Sequence, residues 1–355
     1  MPEIISIYAP SWDPYDSYGM LACHLAGAAE ARGWYVNTFQ RCGQLRHETH
    51  DAVTARIVDQ PIRPALGGLM LGYPTEHEAH GPLAMAGPRV AVTMFESTRI
   101  PAAWVAPLNA CAAVIVPATW LVGVFRECGV TAPIDVVPPG IDKAFTPHER
   151  ERRTPYTFLA IADRTDRNLR KGWDVAVRAF VQAFGSRDDV QLVLKARERS
   201  RAVRFTNANI ETVQADMTPE ELNAFYHRAD CLVFPSRGEG FGLPPREFAA
   251  TGGLVLATGW GGTGEAIESW GVPIPYTLRP AWHPDDGRHG LGLWAEPDVD
   301  ALAGLMARAA ARPADWERLA HQAAANVRAC CDRDRFANRV LDIWQQVSRT
   351  EVVHA

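Results

Sequence analysis

The chain has 355 residues, 47% of them hydrophobic and 22% charged, and a net charge of −5. That length suits two domains better than one core, and the composition excludes a disordered or fibrous chain. The acidic balance excludes general attraction to nucleic acid or anionic membrane, though a local basic patch can coexist with it.

Short β-rich runs alternate with helical patterns along the chain, which predicts parallel sheets covered by helices. The opening MPEIISIYAP lacks the basic region and apolar stretch of a signal peptide. No segment approaches 18 uninterrupted apolar residues, so no bilayer span is expected. Strands are predicted at Ile4–Tyr8, Tyr35–Phe39, Gly68–Leu71, Val90–Met94, Ala113–Val116 and Ile134–Val137, with a helix over Met20–Arg32 ended by Gly33. His148–Pro155 is charged, ends in proline and has no apolar period, so it reads as a linker.

The alternation restarts with strands at Thr157–Ala162, Gln191–Lys195, Ile210–Gln214, Cys231–Pro235 and Leu254–Thr258. Helices are expected at Trp173–Phe184, Pro219–Arg228 and Arg246–Thr251, then through a tail from Val299 to Val347 broken at Pro313–Asp315. The expected architecture is therefore α/β, two doubly wound Rossmann-like domains: 1–147, a linker at 148–155, and 156–330. Ligands of such sheets sit beyond the carboxyl ends of the strands, so function belongs in the following loops, across a cleft.

Seven cysteines, an odd number without a CxxC pair, read as reduced thiols of a cytoplasmic protein. Only Lys143, Lys171 and Lys195 are lysines among 36 basic residues, which makes each one a position to question.

The most informative stretch runs from Phe234 to Glu247, FPSRGEGFGLPPRE. A strand enters a loop with Gly238, Gly240 and Gly242, then a helix opening near Pro244–Pro245, where proline suits the first turn. The glycines let backbone approach a ligand, and the helix start offers unpaired N–H groups and a positive dipole end to a phosphate or sugar hydroxyl. Glu239 and Glu247 flank this turn with seven residues between them. In isolation such a pair serves equally as helix cap and solvated face.

This stretch resembles the Glu-x7-Glu signature of family 4 of the retaining glycosyltransferases, which have the GT-B fold. Met217–Asp230 and Ala257–Ala266 resemble the segments on either side of the signature, and Pro117–Trp120, Cys128–Val130 and Val137–Asp142 with Phe145 resemble the stretch before the linker. The resemblance covers nearly the whole chain and implies a C-terminal helix, 331–355, crossing back to the first domain. It implies a hexosyltransferase acting with retention and without metal or cofactor, using a UDP- or GDP-sugar. The acceptor is expected to be a glycan or lipid-linked glycan, with a small molecule or a modified DNA base as alternatives, in the cytoplasm or peripheral at a membrane. Nucleic acid enters only as an acceptor.

By the same resemblance Glu247 would hold the donor ribose, and Glu239 would contact the donor sugar. Gly240 and the amides of Phe241, Gly242 and Leu243 would support sugar and diphosphate. Arg164 and Lys171 would neutralise the leaving diphosphate, where developing negative charge makes donated positive charge effective. Arg167 or Arg170 could replace Arg164, since Asp163 stands where the family has glycine. Lys195 could join them or lie on the surface, and the base would be met near Ala215, Asp216 and Met217. Asp16–Met20, with Tyr18 and Gly19, resembles a loop approaching the donor phosphates and the acceptor, and equally fits a plain N-cap turn.

Many members place a histidine followed by an acid after the strand Val90–Met94; here Phe95 holds the histidine position and Glu96 that of the acid. Glu96 is the candidate for acceptor contact or proton handling, against plain loop structure. Asp298–Asp300 and Asp332–Asp334 spell DxD at helical starts, where capping is the expected role. Arg197, Arg199, Arg201 and Arg204 form a basic run that reads as a solvated face or as a guide for an anionic acceptor. One rival is a dinucleotide-binding oxidoreductase, because Gly259–Gly264 spells GxGxxG after a strand. Another is a relative of the same fold without transfer activity, such as a sugar-nucleotide epimerase.

Overall fold

The structure, a computed structural model, describes residues 3–40, 52–74, 86–150, 154–162, 169–198, 205, 209–282 and 291–354. The chain divides into two compact units. One comprises Met1–Phe95, Ile100–Gly140 and Cys331–Ala355; the other comprises Glu96–Arg99 and Ile141–Cys330.

The first unit is built on six parallel strands, β1 (Ile4–Ala9), β2 (Tyr35–Gln40), β3 (Leu66–Leu71), β4 (Ala86–Val92), β5 (Ala113–Val116) and β6 (Ile134–Val136). Their spatial order is β2-β1-β3-β4-β5-β6. The strands are apolar on both faces because helices cover both: Ile5 and Ile7 are buried with Leu21 and Leu25 of the helix Ser17–Ala31 on one face, and Val114 and Val116 with Leu121 and Phe125 of the helix Trp120–Glu127 on the other. The helix Arg333–His354 contributes Phe336, Ala337, Val340, Leu341 and Trp344 to the same core, spaced three and four apart along one face.

The second unit repeats the plan with β7 (Tyr156–Ala162), β8 (Val190–Ala196), β9 (Ile210–Gln214), β10 (Cys231–Phe234), β11 (Leu254–Thr258) and β12 (Val272–Ile274). These six parallel strands lie in the order β12-β11-β10-β7-β8-β9. Three strands are absent from the sequence reading: β12, at the edge of this sheet, and β13 (Tyr276–Pro280) and β14 (Leu293–Pro297), which form an antiparallel pair. The tail is three helices, Val299–Ala311, Ala314–Cys330 and Arg333–His354.

Each sheet reverses its winding once, between β1 and β3 in the first unit and between β7 and β10 in the second. The loops leaving the two strands at such a reversal diverge and open a crevice beyond the strand ends. In the second unit residues 235–242 follow β10, and the described residues 169–172 lead into the helix that follows β7, so the topology brings Lys171 toward Glu239.

Helix starts are displaced from the sequence reading where caps decide them. The first helix begins at Ser17, because Asp16 accepts a hydrogen bond from the Tyr18 amide at 2.8 Å. The helix after the glycine loop begins at Leu243 behind Gly242, which adopts φ +86°. Within the segment expected as a linker, the His148 amide bonds to the Thr251 carbonyl at 3.1 Å. Arg150 donates to the carbonyls of Ala229 and Thr251 at 2.9 and 2.8 Å.

Candidate functional site

The loop after β10 and the residues before the helix Trp173–Phe184 are joined through one carboxylate. Glu239 is 7% exposed, and its Oε1 accepts from Lys171 Nζ at 2.7 Å, Ser236 Oγ at 2.9 Å and Arg170 Nη1 at 3.1 Å. Burial opposes ionisation of Glu239, yet the charges of Lys171 and Arg170, with the hydrogen bonds from Lys171 and Ser236, outweigh it and hold the carboxyl below its usual range. Arg170 also donates to the Gly238 carbonyl at 2.7 Å. Gly172 has φ +67°, and a Cβ there would lie 1.8 Å from the Pro235 carbonyl oxygen, so only glycine lets the two loops meet.

Glu247 lies within the helix Leu243–Ala250 and is also buried. Its Oε2 accepts from the Tyr226 hydroxyl at 3.3 Å. Burial pushes its pKa up to about 7, with the Tyr226 bond and the Lys195 charge pulling down and Asp142 adding a smaller push upward. The two carboxylates of the signature thus differ: Glu239 is a firmly ionised acceptor, whereas Glu247 titrates near neutrality. Lys195, near the end of β8, is half-buried; burial and then Arg197 lower its pKa, while Asp216 and Glu247 oppose them. Asp216 is engaged by Arg197 Nε at 2.5 Å and by the Glu198 amide at 3.3 Å. Arg197 is therefore paired; Arg199, Arg201 and Arg204 lie outside the described residues, as do Arg164 and Arg167. Met217 leads into Thr218, which caps the helix Pro219–Tyr226 in a reciprocal box with Glu221.

Two buried arginines not singled out by the sequence reading hold this site together. Arg237 uses all five of its N–H groups. Nη1 and Nη2 donate to Asp174 at 2.8 and 2.9 Å, Nε and Nη2 to Glu296 at 2.8 and 2.9 Å, and Nη1 to the Leu169 carbonyl at 2.6 Å. Burial disfavours its charge, but Asp174 and Glu296 more than offset this and raise its pKa. Arg246 reaches the carbonyls of Phe241, Gly242 and Gly262, and its guanidinium lies 3.9 Å from the Phe241 ring centroid. The contacts of Arg237 join segments 59–68 residues apart, which a local pattern does not reveal; those of Arg246 are partly local but depend on the turn that the loop adopts.

The remaining predicted residues fall in several places. Phe241 and Leu243 are buried beside the glycines of the loop, and Gly240 abuts Gly262. Gly19 sits in the first turn of its helix, where a Cβ would lie 2.1 Å from the Asp13 carbonyl oxygen, and Tyr18 is its neighbour behind the Asp16 cap. Phe95 is fully buried against Trp104, at 5.1 Å between ring centroids, so that position is core rather than polar. Glu96 is 7% exposed and groups with the second unit, where a Cβ on Gly238 would lie 2.1 Å from its carbonyl oxygen.

The GxGxxG segment is packing. A Cβ on Gly262 would lie 2.4 Å from the Gly240–Phe241 peptide, and the Gly262 amide is spent on the Glu239 carbonyl at 2.9 Å. Gly259 and Gly264 bond to Ile274 and Trp260 carbonyls. Those three amides are occupied by carbonyls of the protein itself. Asp298 and Asp332 accept from Ala301 and Arg335 amides, as caps do. Among the described residues, no helix is long and apolar enough to cross a membrane.

Residues 157–311 match the family described as Glycosyl transferases group 1. The D-inositol 3-phosphate glycosyltransferase of Paenarthrobacter aurescens (strain TC1) is 30% identical over 206 residues, 53% of this chain and 49% of that protein. That of Pseudarthrobacter chlorophenolicus is 31% identical over 219 residues, 56% and 51% of the two chains. The chain spans about half the length of these curated relatives. Sucrose-phosphate synthase from Thermosynechococcus elongatus shares the fold with a TM-score of 0.72 at 18% identity, over 97% of this chain and 99% of the other. Anabaena HepE, solved with UDP and glucose, superposes with a TM-score of 0.64 at 12% identity over 97% and 100% of the two chains. The two solved structures bear out the fold that the sequence resemblance implied, and the group 1 family match falls within the second unit.

Proposed function

We propose that this chain transfers a hexose from a nucleoside-diphosphate donor to a hydroxyl acceptor with retention of configuration. The observation that carries the reading is the Glu239–Lys171 pair, 2.7 Å apart at the winding reversal of the second sheet. An ionised carboxylate buried beside two cations suits a site that receives both sugar hydroxyls and a diphosphate. In the reading, Glu239 accepts hydrogen bonds from the sugar, while Lys171 and Arg170 meet the charge that develops on the leaving diphosphate without calling on a metal. Glu247 receives the ribose hydroxyls, and Lys195 with the Asp216–Met217 turn borders the base and ribose.

Glu239 is committed to its three donors, which suits orientation rather than nucleophilic attack. The acceptor then enters on the face the diphosphate leaves, and a diphosphate oxygen takes its proton. Glu96 is assigned to the acceptor hydroxyl. UDP is the first nucleotide to test because HepE was solved with it. The acceptor class is drawn from the relatives, whose names specify D-inositol 3-phosphate; a phosphorylated polyol or sugar is therefore proposed. The test is calorimetric titration with UDP-, GDP- and ADP-hexoses, followed by incubation with phosphorylated polyols and analysis for a new α-glycoside. Failure to bind any of these donors would sink the proposal, as would a β-linked product its retaining mechanism.

A further inference from the structure

The arginine at the first turn of the donor-site helix lacks a role in the reading above, yet it is 3% exposed. Burying a guanidinium is unfavourable unless its donors are occupied. Arg246 Nη1 bonds to the Phe241 carbonyl and, at 3.3 Å, to that of Gly242. Its Nη2 bonds to the carbonyls of Gly262 at 2.9 Å and Glu265 at 3.4 Å. The planar group is stacked between the rings of Phe241 and Trp270, at 3.9 and 4.5 Å from their centroids. A guanidinium provides such a fork and such a face; an ammonium provides neither.

The consequence lies on the other side of two peptide planes. In a trans peptide the carbonyl and the following N–H point in opposite directions, and the peptides here are trans. Fixing the Phe241 and Gly242 carbonyls on Arg246 therefore turns the N–H groups of Gly242 and Leu243 away from it. A helix start normally leaves four N–H groups without helical partners. Here the next two positions are Pro244 and Pro245, which carry none, so the donors of this helix start are those of Gly242 and Leu243.

We propose that Arg246 is a positioning residue that aims the Gly242 and Leu243 amides at the donor diphosphate. The inference rests on the donor reading above and deepens it. Arg246 touches no donor atom; it acts through the backbone it holds.

The test is the ratio of dissociation constants for UMP and UDP in wild type, Arg246→Lys and Arg246→Met, with the GMP/GDP and AMP/ADP pairs run beside them. Loss of aimed amides should weaken UDP by about tenfold or more while UMP changes little, so the ratio contracts. Arg246→Lys should keep part of the preference, and it decides the matter alone if Arg246→Met does not fold. A ratio unchanged in the variants, with both nucleotides weakened equally, would make Arg246 scaffold only and overturn the proposal. Wild-type protein that binds none of the diphosphates would overturn the donor reading, and this inference with it.

Discussion

Glu247 offers a quantitative test that needs no substrate. Its pKa rises from the ordinary 4.5 to about 7 in the folded protein, chiefly through burial. Below pH 4.5 the carboxyl is protonated in folded and unfolded chains alike, and its contribution to stability is fully present. As pH climbs from 4.5 to 7 the unfolded chain ionises while the folded one resists, so stability is lost across that window and stays level above it. At 1.36 kcal/mol per pH unit the loss is about 3 kcal/mol. Glu247→Gln removes the titration and still accepts from the Tyr226 hydroxyl. Thermal unfolding of both proteins from pH 4 to 8 should show the variant gaining on wild type by roughly 6–12 °C across the window, taking 2–4 °C per kcal/mol for a domain of this size. A difference that stays flat with pH, or shrinks as pH rises, refutes the burial argument.

Three further outcomes follow from the same contacts. Lys171→Met should lower kcat by about 10²–10³-fold in the transfer assay without changing the circular dichroism spectrum, because it removes charge from the leaving group. Arg237→Met leaves the half-buried carboxylates of Asp174 and Glu296 without their shared partner and should cost about 1–3 kcal/mol in denaturant unfolding; no measurable loss would mean the pairs contribute little. Gly262→Ala drives a methyl into the Gly240–Phe241 peptide and should cost about 1–3 kcal/mol while weakening nucleotide binding measured by calorimetry; unchanged binding would show the loop accommodates the methyl without moving.

How much was legible in the sequence depended on how local the chemistry is. Glu239, the loop glycines and Glu247 fall within one strand–loop–helix passage, so spacing grouped them, while their expected roles came from the family resemblance. The parallel strands were legible because burial on both faces leaves continuous apolar runs. The start of the helix Leu243–Ala250 was obscured, since Pro244 and Pro245 interrupt the apolar period that locates a helix. β13 was missed because Pro275 precedes it, Pro280 ends it and all of its residues are exposed. Arg237 links to Leu169, Asp174 and Glu296 across separations of 68, 63 and 59 residues. Pairings that long leave no period to read. The GxGxxG spelling shows why such a motif stays a rival only: close backbone packing demands glycine as strictly as a cofactor does.

The helix Arg333–His354 has a consequence for how the molecule is made. The first unit draws Phe336, Val340, Leu341 and Trp344 into its hydrophobic centre from a segment that the ribosome adds only after Ile141–Cys330. During translation the later half can therefore reach its native state while the earlier half still awaits a missing wall, the reverse of the usual amino-to-carboxyl order.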